Sequence, residues 1–143
     1  MSKWRILVAD DHDMVRTSVA AMLGKEPDME LVAAAENGMR AVELAEKHFP
    51  DIVLMDVEMP VMNGVEATRS ILASKPQTKV IAFSSYLDTE YVREMLRAGA
   101  SGYVYKSGGR NDILHAIRSV VAGHSCVKGP SSDVLVEDYV ELL

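Results

Sequence analysis

The chain has 143 residues, a length that fits one domain able to fold around its own core without a disulfide or a structural metal. Its 21 acidic and 15 basic side chains give a formal net charge of −6, which argues against a basic DNA-binding face within this segment. A single cysteine, Cys126, excludes an internal disulfide, and no apolar run approaches the roughly 20 residues of a membrane span, so we expect a cytoplasmic domain without a membrane partner.

Strand-like and helix-like segments alternate along the first 122 residues. The first apolar run is continuous, as in a strand buried on both faces of a parallel sheet. The helix after it carries apolar side chains on one face, and Asn37 is placed to cap the second helix. In chain order we predict a strand at 5–9, a helix at 14–23, a strand at 30–35, a helix at 37–48, a strand at 51–55, a helix at 63–74, a strand at 79–83, a helix at 89–98, a strand at 101–105 and a helix at 111–122. Five such βα units predict a parallel sheet with helices on both faces.

The C-terminal residues depart from this alternation. Residues 129–132 read Gly-Pro-Ser-Ser, a composition typical of a linker. Residues 133–143 carry apolar side chains at a spacing that favours a short amphipathic helix. We therefore assign 1–123 to a domain and 124–143 to a linker or the start of a linker helix.

Polar side chains follow four of the five predicted strands. Asp10 and Asp11 follow the first strand, Asp56 the third, Ser84 the fourth and Lys106 the fifth. The carboxyl ends of parallel strands meet at one edge of the sheet, which is where ligands of open α/β sheets bind. Three carboxylates at that edge repel one another, and a hard divalent cation such as Mg²⁺ together with the lysine ammonium would offset the repulsion. Because a carboxylate beside such a cation can attack a phosphoryl donor, the pattern predicts a site that forms an aspartyl phosphate.

Taken singly, each of these residues has a simpler structural interpretation. An acid after a strand is usually a helix cap or a loop residue, a serine there is usually part of a turn, and a lysine is usually a surface charge. His12 stands next to the acids, and we assign it to the start of the first helix rather than to a metal ion. Only the joint placement of the set at one edge predicts a site.

Four segments of the chain together resemble the receiver domain of response regulators. They occur in order and at the spacing of that family, and the resemblance spans residues from about 4 to 122. The segments are ILVADDH at 6–12, DIVLMDVEMPVMNGVE at 51–66, KVIAFSS at 79–85 and AGASGYVYK at 98–106. The ADDH opening and the lack of proline after Lys106 are most similar to the NarL/FixJ branch, which carries LuxR-type helix-turn-helix output domains. The resemblance implies a flavodoxin-like, doubly wound α/β fold of three layers, with a five-stranded parallel sheet in the order 2-1-3-4-5 and five helices.

The resemblance also implies a role for each acid of the site. Asp56 matches the phosphoacceptor. Asp11 and Asp56 match direct ligands of Mg²⁺, and Asp10 matches the acid that supports the ion through a water molecule. The backbone carbonyl of Glu58 matches the third protein ligand.

The other matching positions concern the phosphoryl group and the conformational switch. Lys106 matches the lysine that contacts the phosphate. Ser84 matches the switch hydroxyl, and Tyr103 matches the switch aromatic residue. Pro60 and Gly64 match the turn that leads into the third helix.

The function that the resemblance implies is a phosphorylation switch. A sensor histidine kinase would pass a phosphoryl group to Asp56 with the help of Mg²⁺, and the altered conformation would control transcription through a C-terminal helix-turn-helix domain outside these 143 residues. We expect a homodimer on phosphorylation and contact with DNA only through that output domain. Such a chain is a phosphoacceptor in signalling rather than an enzyme, although it assists its own phosphorylation and dephosphorylation.

Three alternatives to this function stay open. The chain is a stand-alone receiver, or it is an interaction module that works without phosphate, although the complete set of acids argues against the latter. The third alternative is a flavodoxin-like FMN binder, which needs a phosphate-binding loop after the first strand. Asp10 and Asp11 occupy that place and would repel a phosphate unless a cation intervened.

Overall fold

A computed structural model describes residues 3–85 and 89–128, along which strands and helices alternate. The strands are β1 Trp4–Ala9, β2 Met29–Ala35, β3 Ile52–Met55, β4 Lys79–Ser84, β5 Gly102–Tyr105 and β6 Cys126–Lys128. The helices are α1 Asp13–Leu23, α2 Gly38–His48, α3 Gly64–Ser74, α4 Thr89–Arg97 and α5 Arg110–Val121, and a single 3-10 turn spans Lys106–Gly108. None of the helices in these two ranges has the length and apolar composition needed to cross a membrane.

All strand pairs are parallel, and the strands lie in the order β2-β1-β3-β4-β5-β6. The predicted five-stranded order 2-1-3-4-5 with five helices is therefore confirmed. Each strand and helix predicted within residues 5–122 is present, with ends that differ from the prediction by at most a few residues. Asn37 caps α2 as expected, because its side chain accepts a hydrogen bond from the backbone N–H of Arg40 at 2.8 Å.

Two hydrophobic clusters fill the two faces of the sheet. Side chains alternate between the faces along a strand, so Leu7 and Ala9 of β1 belong to one cluster while Ile6 and Val8 belong to the other. The first cluster includes side chains of α2, α3 and α4, and the second includes side chains of α1 and α5. This double burial explains why the strands appear in the sequence as continuous apolar runs.

The sixth strand lies within the segment that the sequence assigned to a linker. Cys126–Lys128 pairs with β5, with Gly102 opposite Cys126. A Cβ atom at Gly102 would lie 2.7 Å from the backbone carbonyl oxygen of Cys126, so the absence of a side chain at Gly102 allows this close approach. The sheet thus extends beyond residue 123, while the rest of the division into domain and linker stays a prediction. The predicted linker at 129–132 and the predicted helix at 133–143 lie outside the described residues.

Candidate functional site

The carboxyl ends of four strands meet at one edge of the sheet and carry the predicted polar residues there. Asp10 follows β1, Asp56 follows β3, Ser84 ends β4 and Lys106 follows β5. Asp10, Asp56 and Ser84 are buried, with exposed fractions of 0%, 4% and 0%. Because β1 pairs with β3 and β4 pairs with both β3 and β5, side chains from distant parts of the sequence become neighbours.

Three carboxylates form what we call the acid cluster: Asp10, Asp11 and Asp56. Together with the imidazole of His12, each offers one ligand atom, and these atoms lie within 4.8 Å of one another. Asp10 and Asp56 lie at the buried base, whereas Asp11 and His12 are exposed. The acid cluster is therefore accessible from solvent on one side.

His12 begins α1, as predicted, and its side chain also contacts the acids. It is the N-cap residue of α1, but its side chain makes no capping hydrogen bond. Its Nδ1 atom instead lies 3.0 Å from Oδ1 of Asp10 and 3.2 Å from Oδ1 of Asp11, and its backbone N–H donates to Oδ1 of Asp10 at 2.9 Å. The sequence placed His12 beside the acids but did not show that its ring turns toward them.

Lys106 faces the acid cluster rather than open solvent, and only 13% of its side chain is exposed. Its Nζ atom lies 3.4 Å from Oδ2 of Asp56 and forms an ion pair with Oδ2 of Asp10. The Phe83 ring lies behind the ammonium, with its centroid 5.3 Å from Nζ. This aromatic contact was not predicted, because it depends on how β4 and β5 pack.

The acid cluster carries more negative charge than its neighbours offset. Burial raises the pKa of Asp56 to about 6; the Lys106 ammonium acts in the opposite direction, and the Asp10 carboxylate adds to the rise. Oδ2 of Asp10 is fully buried and pairs with Lys106, so two buried carboxylates, those of Asp10 and Asp56, share a single ammonium. Buried carboxylates whose charge is only partly offset are costly, and a group of hard oxygen ligands of this kind suits a small divalent cation. The residues therefore fit Mg²⁺.

The loop after β3 folds back over Asp56. The backbone N–H of Gly64 donates to the carbonyl oxygen of Val57 at 2.8 Å. A Cβ atom at Gly64 would lie 2.0 Å from the carbonyl oxygen of Asp56, so only glycine fits at this point of the turn. The adjacent Asn63 caps α3 by accepting a hydrogen bond from the backbone N–H of Glu66.

Glu58 lies in this same loop, and its side chain is exposed. Its carboxylate does not belong to the group of ligand atoms around Asp56 but accepts a hydrogen bond from the hydroxyl of Tyr91 on α4. The expected role of the Glu58 backbone carbonyl as a metal ligand stays a prediction. The Tyr91 contact was not predicted, because the two residues are 33 positions apart and the sequence does not give the rotation of α4.

The two predicted switch residues are both fully buried. Ser84 and Tyr103 have exposed fractions of 0%. Tyr103 lies opposite Ala82 of β4 and packs in the cluster that includes α2, α3 and α4. Their roles in switching stay predictions, but their places match what such roles require: one at the acid cluster and one beneath α4.

An apolar groove lies beside the acid cluster. It has a volume of about 550 Å³ and runs between α1 and α5, with His12 and Lys106 at the end near the acids. Its apolar lining includes Val15 of α1, Phe83 of β4 and Ile113 of α5. The acid cluster is therefore next to an apolar surface that includes His12 and Lys106.

Comparison with known proteins gives a family for residues 6–118, which match the response regulator receiver domain. The chain is 39% identical over 142 residues to the transcriptional regulatory protein DegU of Brevibacillus brevis, an alignment that covers 99% of this chain and 60% of DegU. It is 40% identical over 132 residues to the response regulator GacA of Pseudomonas protegens, covering 92% of this chain and 62% of GacA. The chain thus spans about 60% of the length of these curated relatives.

Solved structures agree with this family. A two-component response regulator of the LuxR family from Aurantimonas sp. SI85-9A1 superposes with a TM-score of 0.86 at 31% identity, over 98% of this chain and 97% of that one. The signal receiver domain of NarL from Mycobacterium tuberculosis gives a TM-score of 0.83 at 30% identity, over 87% of this chain and 100% of that one. Sequence and structure therefore lead to the same family.

Proposed function

This chain belongs to the response regulator receiver domain family and forms the receiver domain of a two-component response regulator, and on this basis we propose that Asp56 accepts a phosphoryl group in a Mg²⁺-dependent reaction. The observation that carries the proposal is the position of Asp56. Its carboxylate is buried at the carboxyl end of β3, 3.4 Å from Nζ of Lys106 and within a cluster of two further carboxylates. Asp10 shares the burial, the ammonium and the acidic neighbours, but its Oδ1 already accepts from His12 and its Oδ2 pairs with Lys106, which favours Asp56 as the nucleophile.

The acid cluster supports the cation. Receiver domains generally bind Mg²⁺ at their acidic pocket. Asp11, Asp56 and the backbone carbonyl of Glu58 would hold the ion directly, and Asp10 would support it through a water molecule. When bound, the cation offsets the negative charge of the carboxylates and of the incoming phosphoryl group.

The residues of the chain then have distinct tasks in the transfer. An Oδ atom of Asp56 attacks the phosphorus atom of a phosphohistidine on a sensor histidine kinase, the P–N bond breaks, and the imidazole nitrogen of the donor keeps the electron pair. The Lys106 ammonium and the Ser84 hydroxyl contact oxygens of the transferred group and stabilise the charge on them. Burial at the base of the cluster keeps Asp56 fixed in line with the donor.

Phosphorylation then changes the population of two conformations. The new phosphoryl oxygens attract the Ser84 hydroxyl, and the Tyr103 side chain moves in response. Together these movements repack the face formed by α4, β5 and α5. The phosphoryl group interacts with a different free energy in each of the two conformations. That difference sets how far the equilibrium between them shifts. Lys106 and Ser84 thus link the chemistry at Asp56 to the switch at Tyr103.

The partners follow from the site and from the relatives. The apolar groove between α1 and α5 lies beside His12 and Lys106, where a helical donor protein such as a histidine kinase can present its phosphohistidine. DegU is a transcriptional regulatory protein, and the chain covers only part of it. We therefore assign the output to dimerisation and promoter binding through a DNA-binding domain outside residues 1–143, in the cytoplasm.

Labelling with a radioactive acyl phosphate in the presence of Mg²⁺ tests the proposal. The protein should acquire one alkali-labile acyl phosphate, and Asp56→Asn should abolish it because the nucleophile is lost. Asp13→Asn is the matched control, since Asp13 is an exposed acid at the start of α1 and its loss should leave labelling intact. Equal labelling of Asp56→Asn and the unaltered protein would show that another residue is the acceptor. No labelling of the unaltered protein would favour the interaction module that works without phosphate.

A further inference from the structure

A hydrogen bond joins the loop after the phosphoacceptor to α4. The Tyr91 hydroxyl, in the first turn of α4, donates to the carboxylate of Glu58, which lies two residues after Asp56. This bond connects the Glu58 side chain to α4. That helix packs on the face of the sheet opposite to α1 and α5.

Tyr91 is a firm attachment point, whereas Glu58 is not. The Tyr91 ring is half-buried and packs against the hydrophobic cluster that contains Val92 and Met95, both fully buried on the same helix. The Glu58 side chain is exposed and has several rotatable bonds. The position of the Glu58 carboxylate is therefore set by the tyrosine rather than by the packing of the glutamate itself.

The place of this carboxylate matters because the site already has excess negative charge. Asp10, Asp11 and Asp56 face a single ammonium, that of Lys106. A phosphoryl donor is itself an anion and must approach Asp56 through the exposed side of the acid cluster. A fourth carboxylate free to turn toward that side would repel the donor and lower its local concentration.

We propose that Tyr91 is a positioning residue for phosphorylation, and that its hydrogen bond holds the Glu58 carboxylate on the α4 side, out of the path of an anionic phosphoryl donor. The proposal rests on the function proposed above for Asp56. It assigns Tyr91 no contact with the donor, because its effect passes through the charge of Glu58. The chemical step is unchanged: Asp56 attacks phosphorus, the P–O bond to the acyl group breaks, and the released carboxylate keeps the electron pair.

The test is the initial rate of labelling by an acyl phosphate with saturating Mg²⁺, measured for the unaltered protein and for Tyr91→Phe. The phenylalanine keeps the ring in its packing but removes the hydroxyl. At low ionic strength we expect labelling about threefold slower or more, because the freed carboxylate repels the donor. Near 1 M salt, where the Debye length is only about 3 Å, the difference should largely disappear.

Charge neutralisation separates this role from a purely structural one. In a Glu58→Gln background, Tyr91→Phe should cause no further decrease in rate, because no charge is left to position. The matched control is Glu94→Gln, which removes another exposed carboxylate of α4 and should not rescue Tyr91→Phe.

Two results would overturn the inference while leaving the function of Asp56 intact. One is an unaltered protein that labels normally with Tyr91→Phe labelling at the same rate. The other is a slower Tyr91→Phe that neither Glu58→Gln nor high salt restores. If the unaltered protein does not label at all, the function of Asp56 itself is wrong.

Discussion

Two clusters of charged side chains within residues 3–85 and 89–128 differ in their balance. In one, which we call the arginine cluster, Glu26 and Asp28 meet Arg110 and Arg118. Arg118 lies 2.7 Å from Glu26 and 3.0 Å from Asp28, and Arg110 lies 2.8 Å from Glu26. Hydrogen bonds from Arg118 and then Arg110 hold the pKa of Glu26 below its ordinary value, and a hydrogen bond from Arg118 does the same for Asp28. Two acids and two bases therefore balance each other in charge.

The acid cluster has the same kinds of groups in a different ratio. Three carboxylates, Asp10, Asp11 and Asp56, have one ammonium between them, that of Lys106. The pKa of Asp56 is raised rather than lowered, mainly by burial. The balanced cluster joins α5 to the loop before β2 at the surface, whereas the unbalanced one lies at the carboxyl edge of the sheet, as is typical of a functional site. The direction of the pKa shift distinguishes the two.

Apart from loss of the nucleophile itself, the largest effect should come from removing the Lys106 ammonium that faces the acid cluster. Lys106→Met keeps the aliphatic part of the side chain but leaves the transferred phosphoryl oxygens without their ammonium, so we expect labelling by an acyl phosphate to fall about 100-fold or more. The matched control is Lys75→Met. Lys75 also pairs with an acid, Glu46, and lies over an aromatic ring, Phe49, but it is remote from the acid cluster. Labelling of Lys106→Met at the rate of the Lys75→Met control would contradict the role of Lys106.

The raised pKa of Asp56 predicts how stability depends on pH. The ordinary pKa is 3.8 and the folded value is about 6, so between these values the folded protein binds more protons than the unfolded chain and its stability falls as pH rises. The penalty is complete above pH 6 and amounts to about 3 kcal/mol, at about 1.4 kcal/mol for each pH unit between the two values.

Urea unfolding in the presence of a chelator measures this penalty. Asp56→Asn cannot ionise at this position, so it should be as stable as the unaltered protein near pH 3.5 and more stable by about 3 kcal/mol at pH 7. Mg²⁺ should reduce the difference at pH 7, because it binds the folded acids of the unaltered protein. A difference that does not change with pH would show that Asp56 is not the group whose burial raises the pKa.

The two clusters also differ in how far the sequence could predict them. The acid cluster was predictable because Asp10, Asp56 and Lys106 each follow a continuous apolar run, and parallel strands bring such positions together at one edge. The arginine cluster was not predicted, since Arg118 and Glu26 are 92 residues apart and their contact depends on how α5 packs against the loop before β2. The bond between Tyr91 and Glu58 escaped prediction for the same reason.

The strands of the sheet also differ in how far the sequence could predict them. Four of the first five strands were predictable because each is an apolar run between turn residues, whereas the alanine-rich β2 suits a helix equally well and was assigned from its position between two helices. The sixth, Cys126–Lys128, has three residues within a polar stretch, too few for a pattern to appear, and it becomes a strand only because β5 offers an unpaired edge and Gly102 allows close approach.

The smallest effect should come from breaking the arginine cluster, and its pH dependence should have the opposite sign. Arg118→Met removes the guanidinium that lowers the pKa values of Glu26 and Asp28. Acids with lowered pKa values contribute stability above their unfolded values of 4.5 and 3.8, and lose it as pH falls through the folded values. Exposed ion pairs contribute little, so at pH 7 the urea midpoint of Arg118→Met should fall only slightly, and less than Asp56→Asn raises it.

Low pH should remove both effects. The loss of stability in Arg118→Met disappears when Glu26 and Asp28 are protonated, and the gain in Asp56→Asn disappears when Asp56 of the unaltered protein is protonated. Arg69→Met is the matched control, because Arg69 is an exposed arginine of α3 and its loss changes the net charge equally. The difference between Arg118→Met and this control should shrink as pH falls through the lowered folded pKa values of Glu26 and Asp28, because the ion pairs are lost when these carboxylates are protonated. A difference that instead grows as pH falls would mean that Arg118 stabilises α5 through the packing of its aliphatic stem, and the contrast between a balanced and an unbalanced cluster would then lose its electrostatic basis.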